Sequence, residues 1–208
     1  MTSGDPSTFA IEVSVSRRSI LDDQTPHLGY FVLHVRGSRY GVCSPEATAL
    51  GCSLDEVRRR VAHKGRHLAS FAGEKACEIA DAFRKAVFAP EQEALSFFGM
   101  SRSEFTEVLY GQHIVWAPDG DAAFDDGSYV LQFDLEQNVR IIAFKSAAHG
   151  YGYDLSTLRE VTIVATKFYS ILQDLSGAYD FVVKSIKEAA EPGATDNPDG
   201  AQRLREDH

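Results

Sequence analysis

The sequence predicts an α+β fold, in which a mostly antiparallel sheet of about six strands carries helices packed on one face. Strand-like segments occur in hairpin-like groups, whereas a doubly wound fold would alternate single strands with helices. Helix-like segments stand between these groups and at the end of the ordered chain. A chain of 208 residues with 44% hydrophobic residues can bury one sizeable core, so we expect a single domain over residues 1–190.

The first group of strand-like segments lies near the N-terminus. Thr8–Arg17 alternates apolar and polar residues, which is typical of a half-buried strand. Leu28–Arg36 is apolar on both faces and predicts a central strand. Gly37-Ser38 predicts a tight turn that returns the chain into a short strand over Arg39–Cys43. The polar segment Ser19–Pro26 predicts a loop.

The middle of the chain has helical patterns. A Ser followed three residues later by Glu is a capping-box pattern, and it predicts helix starts at Ser53 and Ser101. Apolar residues at helical spacing continue from the first start to Phe71, and a separate helical pattern covers residues 76–87. The helix that starts at Ser101 is expected to end near Gly111.

The last third of the domain predicts further strands and a long helix. His113–Ala117 has strand character, and Gly127–Leu135 with Val139–Lys145 reads as a β-hairpin. Arg159–Val164 is a candidate last strand. Ala165–Ala189 has apolar residues at intervals of three and four, the strongest helical pattern of the chain.

The net charge of −9 is unevenly distributed. Residues 91–135 contain nine acids and one base, Arg102, a net of −8. Residues 191–208 contain five acids and two bases with almost no apolar residues, which predicts a disordered acidic tail. The acidic stretch within 91–135 is interpreted either as a solvated loop or as a surface that steers a basic partner onto the protein. The candidate partner-binding residues are Asp119, Asp121, Phe124, Asp125, Asp126, Glu104 and Glu107.

No motif for catalysis or cofactor binding is present, so we predict no catalytic residue, no cofactor and no metal ligand. The chain lacks the glycine patterns of phosphate-binding loops and the GxSxG pattern of a nucleophilic serine. His63 and His67 are four residues apart, but with Lys64 and the bases Arg58–Arg60 they are expected to form an exposed basic helix face. The solvated face is favoured there over nucleic-acid binding.

The three cysteines are sparse and contain no CxxC pair, which favours a reducing compartment. Cys43 and Cys52 are expected in core elements as inert packing, and Cys77 beside the apolar stripe of its helix. No secretory signal and no run long enough to span a bilayer is seen, so cytoplasmic location is expected.

Several segments together resemble the immunity protein 42 family of bacterial polymorphic-toxin systems. They are Gly4–Glu12, Leu28–Val35, Gly37, Tyr40-Gly41, Val130–Phe133, Val139–Phe144 and Lys167–Leu172. The resemblance implies an immunity protein that binds the toxin domain of a cognate effector and protects the producing cell in its cytoplasm. It implies a protein partner, with no nucleic acid and no membrane, and leaves the oligomeric state open.

Two alternatives remain at the level of sequence. One is an enzyme with a dispersed active site, such as a hydrolase that uses His113 or His149 with nearby aspartates. The other is an adaptor module in a secretion apparatus. The acidic stretch supports the immunity interpretation, because a toxin domain that engages nucleic acids is expected to be basic.

Overall fold

The computed structural model describes residues 1–22, 26–90, 96–116 and 122–190. Within these ranges the chain forms ten strands and five α-helices. The strands are β1 Thr2–Asp5, β2 Phe9–Val15, β3 Leu28–Val35, β4 Ser38–Tyr40, β5 Thr48–Ala49, β6 Ser96–Phe97, β7 Met100–Ser101, β8 Ser128–Leu135, β9 Asn138–Ser146 and β10 Tyr153–Val164. The helices are α1 Arg17–Leu21, α2 Leu50–Ala62, α3 Ala76–Phe88, α4 Arg102–Gly111 and α5 Ala165–Ala190.

The strands form two main antiparallel sheets. The first has the order β1-β2-β3-β4, with β5 also paired to β3, and the second has the order β10-β9-β8. Among the described strands, β6 and β7 form a separate two-stranded pair. The predicted α+β class and the antiparallel pairing are therefore confirmed, and the strands are divided between two sheets.

A first hydrophobic core lies between the two sheets and the helices α2 and α5. The rings of Phe9, Trp116 and Phe168 pack there with centroids 5.1 to 6.0 Å apart. Strand β9 contributes Val139 and Ile141 to the same core. The apolar stripe that predicts α5 is thus the face that closes this core.

A second core lies on the opposite face of the three-stranded sheet. Phe133 and Phe144, from β8 and β9, pack there with Phe83 of α3 and Phe105 of α4. Most residues of β8 and β9 are buried, and their apolar side chains are divided between the two cores, so both faces of these strands are covered. Helices therefore cover both faces of this sheet, which differs from the predicted arrangement on one face.

The hairpin predictions are largely confirmed. The β8–β9 hairpin pairs Leu135 with Asn138, and Glu136 in its turn has φ 46°. The β3–β4 turn lies one residue earlier than predicted, at Arg36 and Gly37, whose φ values are 52° and 77°. Two positive φ values in a two-residue turn match the twist of the paired strands, which explains the preference for glycine here.

Several local predictions are wrong. The segment predicted as a loop at Ser19–Pro26 begins within α1, where Ile20 is fully buried. The helix α2 starts at Leu50, so Ser53 is a buried residue inside the helix and not its N-cap. That helix also ends at Ala62, well before Phe71. The strand predicted over His113–Ala117 is reduced, within its described part, to one bridge between Val115 and Leu131.

Candidate functional site

Helix α4 displays two of the candidate acids. Its capping box is confirmed: Ser101 Oγ accepts the backbone N–H of Glu104, and the Glu104 carboxylate accepts the backbone N–H of Ser101. The Ser101 hydroxyl also donates to the Glu104 carboxylate at 2.7 Å, and this bond, followed by that from the backbone N–H of Ser101, lowers the pKa of Glu104. Glu107 lies one turn further along the exposed face of α4. It makes no ion pair with any other described residue.

Arg102, the single base of the acidic segment, is directed into the fold. Its guanidinium donates to the carbonyl oxygens of Ala86 at 2.6 Å, Ala89 at 2.6 Å and Pro90 at 3.1 Å. Carbonyl groups at the end of a helix have no partner within the helix and carry partial negative charge. Arg102 thus caps the C-terminal end of α3, and its charge is used within the protein.

Asp125 and Asp126 form an acidic turn shortly before β8, and this acidic turn is anchored on both sides. The 3-10 helix Ala122–Phe124 precedes it, and Ala123 accepts the backbone N–H of Val42 at 2.7 Å. Gly127 follows with φ 78°, and a Cβ at this position would lie 2.4 Å from Ser146 Oγ. Between these anchors Asp125 is exposed.

Two candidate residues of this turn have roles inside the protein. Phe124 is only 7% exposed and packs edge-on against Phe31, with ring centroids 6.2 Å apart. Phe124 is a candidate partner-binding residue, but its ring is buried in the first core. Asp126 is half-buried and forms an ion pair of 2.5 Å with Lys145. Asp119 and Asp121 lie outside the described residues.

The acids of segment 91–135 therefore fall into distinct groups. Glu107 and Asp125 are exposed without a cationic partner in the described part of the chain, and Glu104 is exposed with its carboxylate engaged in the cap. Asp134, in contrast, is buried, and its carboxylate accepts the Tyr169 hydroxyl at 2.9 Å. The acidic segment can be identified from the sequence by its charge. Only the tertiary structure shows that Asp134 is buried while Glu107 and Asp125 are exposed.

The acidic turn and α4 are connected through α3. The ring of Phe88, at the end of α3, lies 5.8 Å from the ring of Tyr129, which directly follows the turn into β8. Arg84 of α3 donates to the Tyr129 hydroxyl at 2.9 Å. Arg102 joins the first residue of α4 to the same end of α3. These contacts join α3 both to the start of β8 and to the start of α4.

The expected exposed basic face of α2 is only partly correct. Arg58 and Arg59 are exposed, with side-chain exposures of 45% and 52%. Arg60 is completely buried, and its guanidinium donates to Gln132 Oε1 at 3.0 Å and to the carbonyl of Val115 at 2.7 Å. It also pairs with Glu56 at 3.0 Å. One indication of this burial is visible in the sequence, because Arg60 is three positions from the core residue Val57 and therefore lies on the same face of the helix.

His67 is also buried, which overturns its assignment to the exposed face. It is 1% exposed, and its Nδ1 lies 3.1 Å from the carbonyl oxygen of Gln112, whereas Nε2 has no hydrogen-bond partner among the described residues. Burial lowers the pKa of His67, and the nearby Arg60 lowers it further. The network of Arg60, Gln132, Asp134, Tyr169 and His67 joins α2 and α5 to β8, so it is part of the scaffold.

The residues considered for catalysis do not converge on a site. His113 lies beside His63, with ring centroids 5.3 Å apart, and His149 is exposed. Among the residues that the structure describes, no group of three or more His, Cys, Asp or Glu side chains could hold a metal ion. In the same ranges no helix is long and apolar enough to cross a membrane.

The cysteines correct a further prediction. Cys43 and Cys52 are exposed and not buried, and Cys77 is half-buried. All three are free thiols.

A family model described as immunity protein 42 matches residues 1–178 of the chain. The chain therefore belongs to the immunity protein 42 family. It is an immunity protein against a toxin. The resemblance seen in the sequence is confirmed.

The fold is also found in a solved structure. The crystal structure of CdiI from Burkholderia dolosa AUO158 superposes with a TM-score of 0.54 and 17% sequence identity. The match covers 86% of this chain and 99% of that chain. At this identity the likeness concerns the fold. No curated protein gives a significant match.

Proposed function

We propose that this immunity protein neutralises its toxin by binding alone, and that it covers the toxin's active site with the acidic surface of segment 91–135. The surface consists of Glu104, Glu107 and Asp125, together with Asp126 and the undescribed Asp119 and Asp121. The proposed partner is a basic toxin domain in the cytoplasm of the producing cell. Charge complementarity of this kind speeds encounter and excludes partners of the wrong charge.

The proposal is supported by the contacts of Arg102, the single base in the segment. Nine acids stand against one base between residues 91 and 135, and that base, Arg102, is directed onto the carbonyl groups of α3. Glu107 and Asp125 remain exposed and form no ion pair with another described residue. The segment therefore presents acidic side chains to solvent, while the charge of Arg102 is engaged with the carbonyl groups of α3.

Binding without turnover also fits the described chemistry. The polar network around Arg60 and Asp134 is closed to solvent and bonds to itself, so it is suited to holding elements together. An inhibitor needs affinity for one partner and no reactive group. We therefore assign to the fold the role of presenting a rigid binding surface.

Co-expression tests the proposal directly. The toxin domain encoded next to this chain is expressed in a susceptible bacterium with or without the immunity protein. We expect restored growth and copurification of a stoichiometric complex. A toxin that stays active in the presence of the expressed immunity protein, or one that is chemically altered by it, would contradict inhibition by binding alone.

A further inference from the structure

The segment that joins β9 to β10 displays two large apolar side chains to solvent. Tyr151, in the loop between the strands, is 48% exposed, and Leu155, near the start of β10, is 67% exposed. We call residues 147–157 the β9–β10 tip. Single exposed apolar residues are common on proteins, so the surroundings of this pair decide whether it forms a binding surface.

The start of β10 is held in a bulge that exposes Leu155. The regular pairing with β9 is interrupted after Asp154. Inside the bulge the backbone N–H of Lys145 donates to Thr157 Oγ1 at 2.9 Å, so a side chain replaces the backbone acceptor of a regular strand. The Tyr40 hydroxyl, from β4, donates to the carbonyl oxygen of Thr157. A bulge re-aims the side chains of its strand, and this one presents Leu155 to solvent from a fixed backbone.

The strand half of the tip lies beside the acidic turn. Ser128 of β8, Lys145 of β9 and Asp154 of β10 are direct partners across the sheet. Two strand spacings separate Ser128 from Asp154, a distance of about 10 Å. The side chain of Lys145 bridges part of this distance, because it pairs with Asp126. Leu155, which follows Asp154, is therefore close to the acidic turn.

The loop half of the tip reaches the same turn through backbone hydrogen bonds. The carbonyl oxygen of Gly127, which follows the acidic turn, accepts the backbone N–H of Ser146 at 2.9 Å. The backbone N–H of Ala147 donates to the carbonyl oxygen of Gly152 at 3.2 Å, and Tyr151 directly precedes Gly152. Both exposed apolar side chains thus lie at the end of the three-stranded sheet that carries the acidic turn.

The exposed charges next to this pair are carboxylates. Asp125 in the acidic turn and Asp154 in the tip are both exposed. The bases at this end of the sheet make contacts within the protein: Lys145 with Asp126, and Arg84 and Arg159 with backbone carbonyl oxygens. An apolar centre with a polar, charged border is the usual composition of a surface that binds another protein.

We propose that Tyr151 and Leu155 form the apolar centre of the surface that binds the toxin domain, with the acidic turn at its border. This inference rests on the proposed function and adds to it the apolar contact that charge alone does not supply. Buried tyrosine and other apolar anchors hold a complex together, whereas charges at the border speed its formation. A second copy of this chain fits the surface less well, because a two-fold contact would bring the same exposed acids of both copies together.

The test measures the association and dissociation rate constants between the purified immunity protein and the toxin domain encoded next to it. The double variant Tyr151→Ala/Leu155→Ala is expected to raise the dissociation constant about hundredfold, through faster dissociation, with an association rate constant within about threefold of the wild type. The matched control is Leu68→Ala, which removes a leucine that is 51% exposed. Leu68 follows His67, whose carbonyl oxygen accepts the backbone N–H of Asp134 at the opposite end of β8. We expect this control to change the dissociation constant by less than about twofold.

The outcomes separate the tip from the general proposal. A wild-type protein that does not bind the toxin contradicts both. If the wild type binds and the double variant dissociates as slowly, or if Leu68→Ala loses as much affinity as the double variant, the inference about the tip alone is overturned. Sedimentation velocity examines the second copy: a wild-type dimer that the double variant converts to a monomer, with toxin binding unchanged, would also overturn it. Unchanged thermal unfolding midpoints of both variants establish that the losses concern binding.

Discussion

At the residue scale, Arg60 is the clearest case of a charge used to build the scaffold. Its guanidinium bonds to Gln132, Val115 and Glu56, and it stacks over Trp116 at 4.4 Å from the ring centroid. Burial lowers the pKa of Arg60 to about 10, so the side chain stays charged at neutral pH. Removing one partner of such a set leaves the others buried without compensation.

We therefore expect Arg60→Ala to lower the free energy of unfolding by about 3–5 kcal/mol. The adjacent Arg59→Ala is the matched control, because the Arg59 side chain is 52% exposed and Glu56 keeps its ion pair with Arg60 when Arg59 is removed. Exposed pairs contribute at most about 1 kcal/mol. Urea denaturation of the two variants distinguishes them, and equal stabilities would contradict a structural role for Arg60.

His67 leads to a pH dependence at the same scale. Because burial and Arg60 lower the pKa of His67, the folded protein binds a proton there less readily than the unfolded chain, whose histidine titrates near 6.5. The stability that neutral His67 contributes is therefore present above pH 6.5 and is lost progressively as the pH falls below it.

In His67→Gln this contribution is absent, so we expect the variant to lose less unfolding free energy than the wild type between pH 7 and pH 5. Denaturant titrations at each pH measure the difference. The exposed His149 provides the control, and His149→Gln should behave as the wild type does. Parallel stability curves for wild type and His67→Gln would show that His67 does not titrate in this way.

At the scale of elements, one short segment caps both the N-terminal end of α4 and the C-terminal end of α3. Ser101 and Glu104 satisfy the first N–H groups of α4, while Arg102, the next residue along, satisfies carbonyls at the end of α3. One short segment thus closes two helix ends. The position of Glu107 on the surface depends on this arrangement.

Ser101→Ala removes the N-cap and is expected to cost about 1 kcal/mol of unfolding free energy. Ser103→Ala, two residues further along in the same first turn, has no capping contact among the described hydrogen bonds and should change stability by less than about 0.5 kcal/mol. Thermal unfolding of both variants measures the difference. A Ser103 variant as unstable as the Ser101 variant would count against the capping box.

Local patterns account for the elements that sequence could predict. The strand β2 and the helix α5 each repeat their apolar residues with one clear period, β3 is apolar on both faces, and the turn between β8 and β9 is short. The helix α1 was missed because its five residues are too few to show a period. The start of α2 was misplaced because Ser53 and Glu56 have the spacing of a cap while Ser53 is buried in the helix.

At the scale of the whole molecule, contacts between distant segments decide which charges face solvent. Arg60 meets Gln132, and Asp134 meets Tyr169, across separations of 72 and 35 residues, so local sequence does not reveal the partner of either buried charge. Phe124 likewise packs in the first core against Phe31, a residue distant in the sequence. The acidic character of segment 91–135 could be read from sequence because net charge needs no knowledge of packing.

The central claim is that this acidic surface guides the toxin to its immunity protein. The most direct test is the association rate constant with the toxin domain, measured at several salt concentrations. The test variant replaces Asp119, Asp121, Asp125 and Asp126 by asparagine, and the control replaces four exposed acids elsewhere: Glu74, Glu136, Asp174 and Glu188.

We predict that the test variant associates about tenfold more slowly at low salt and shows a weaker salt dependence, while the control stays within about threefold of the wild type. An association rate and salt dependence unchanged from the wild type in the test variant would contradict the claim.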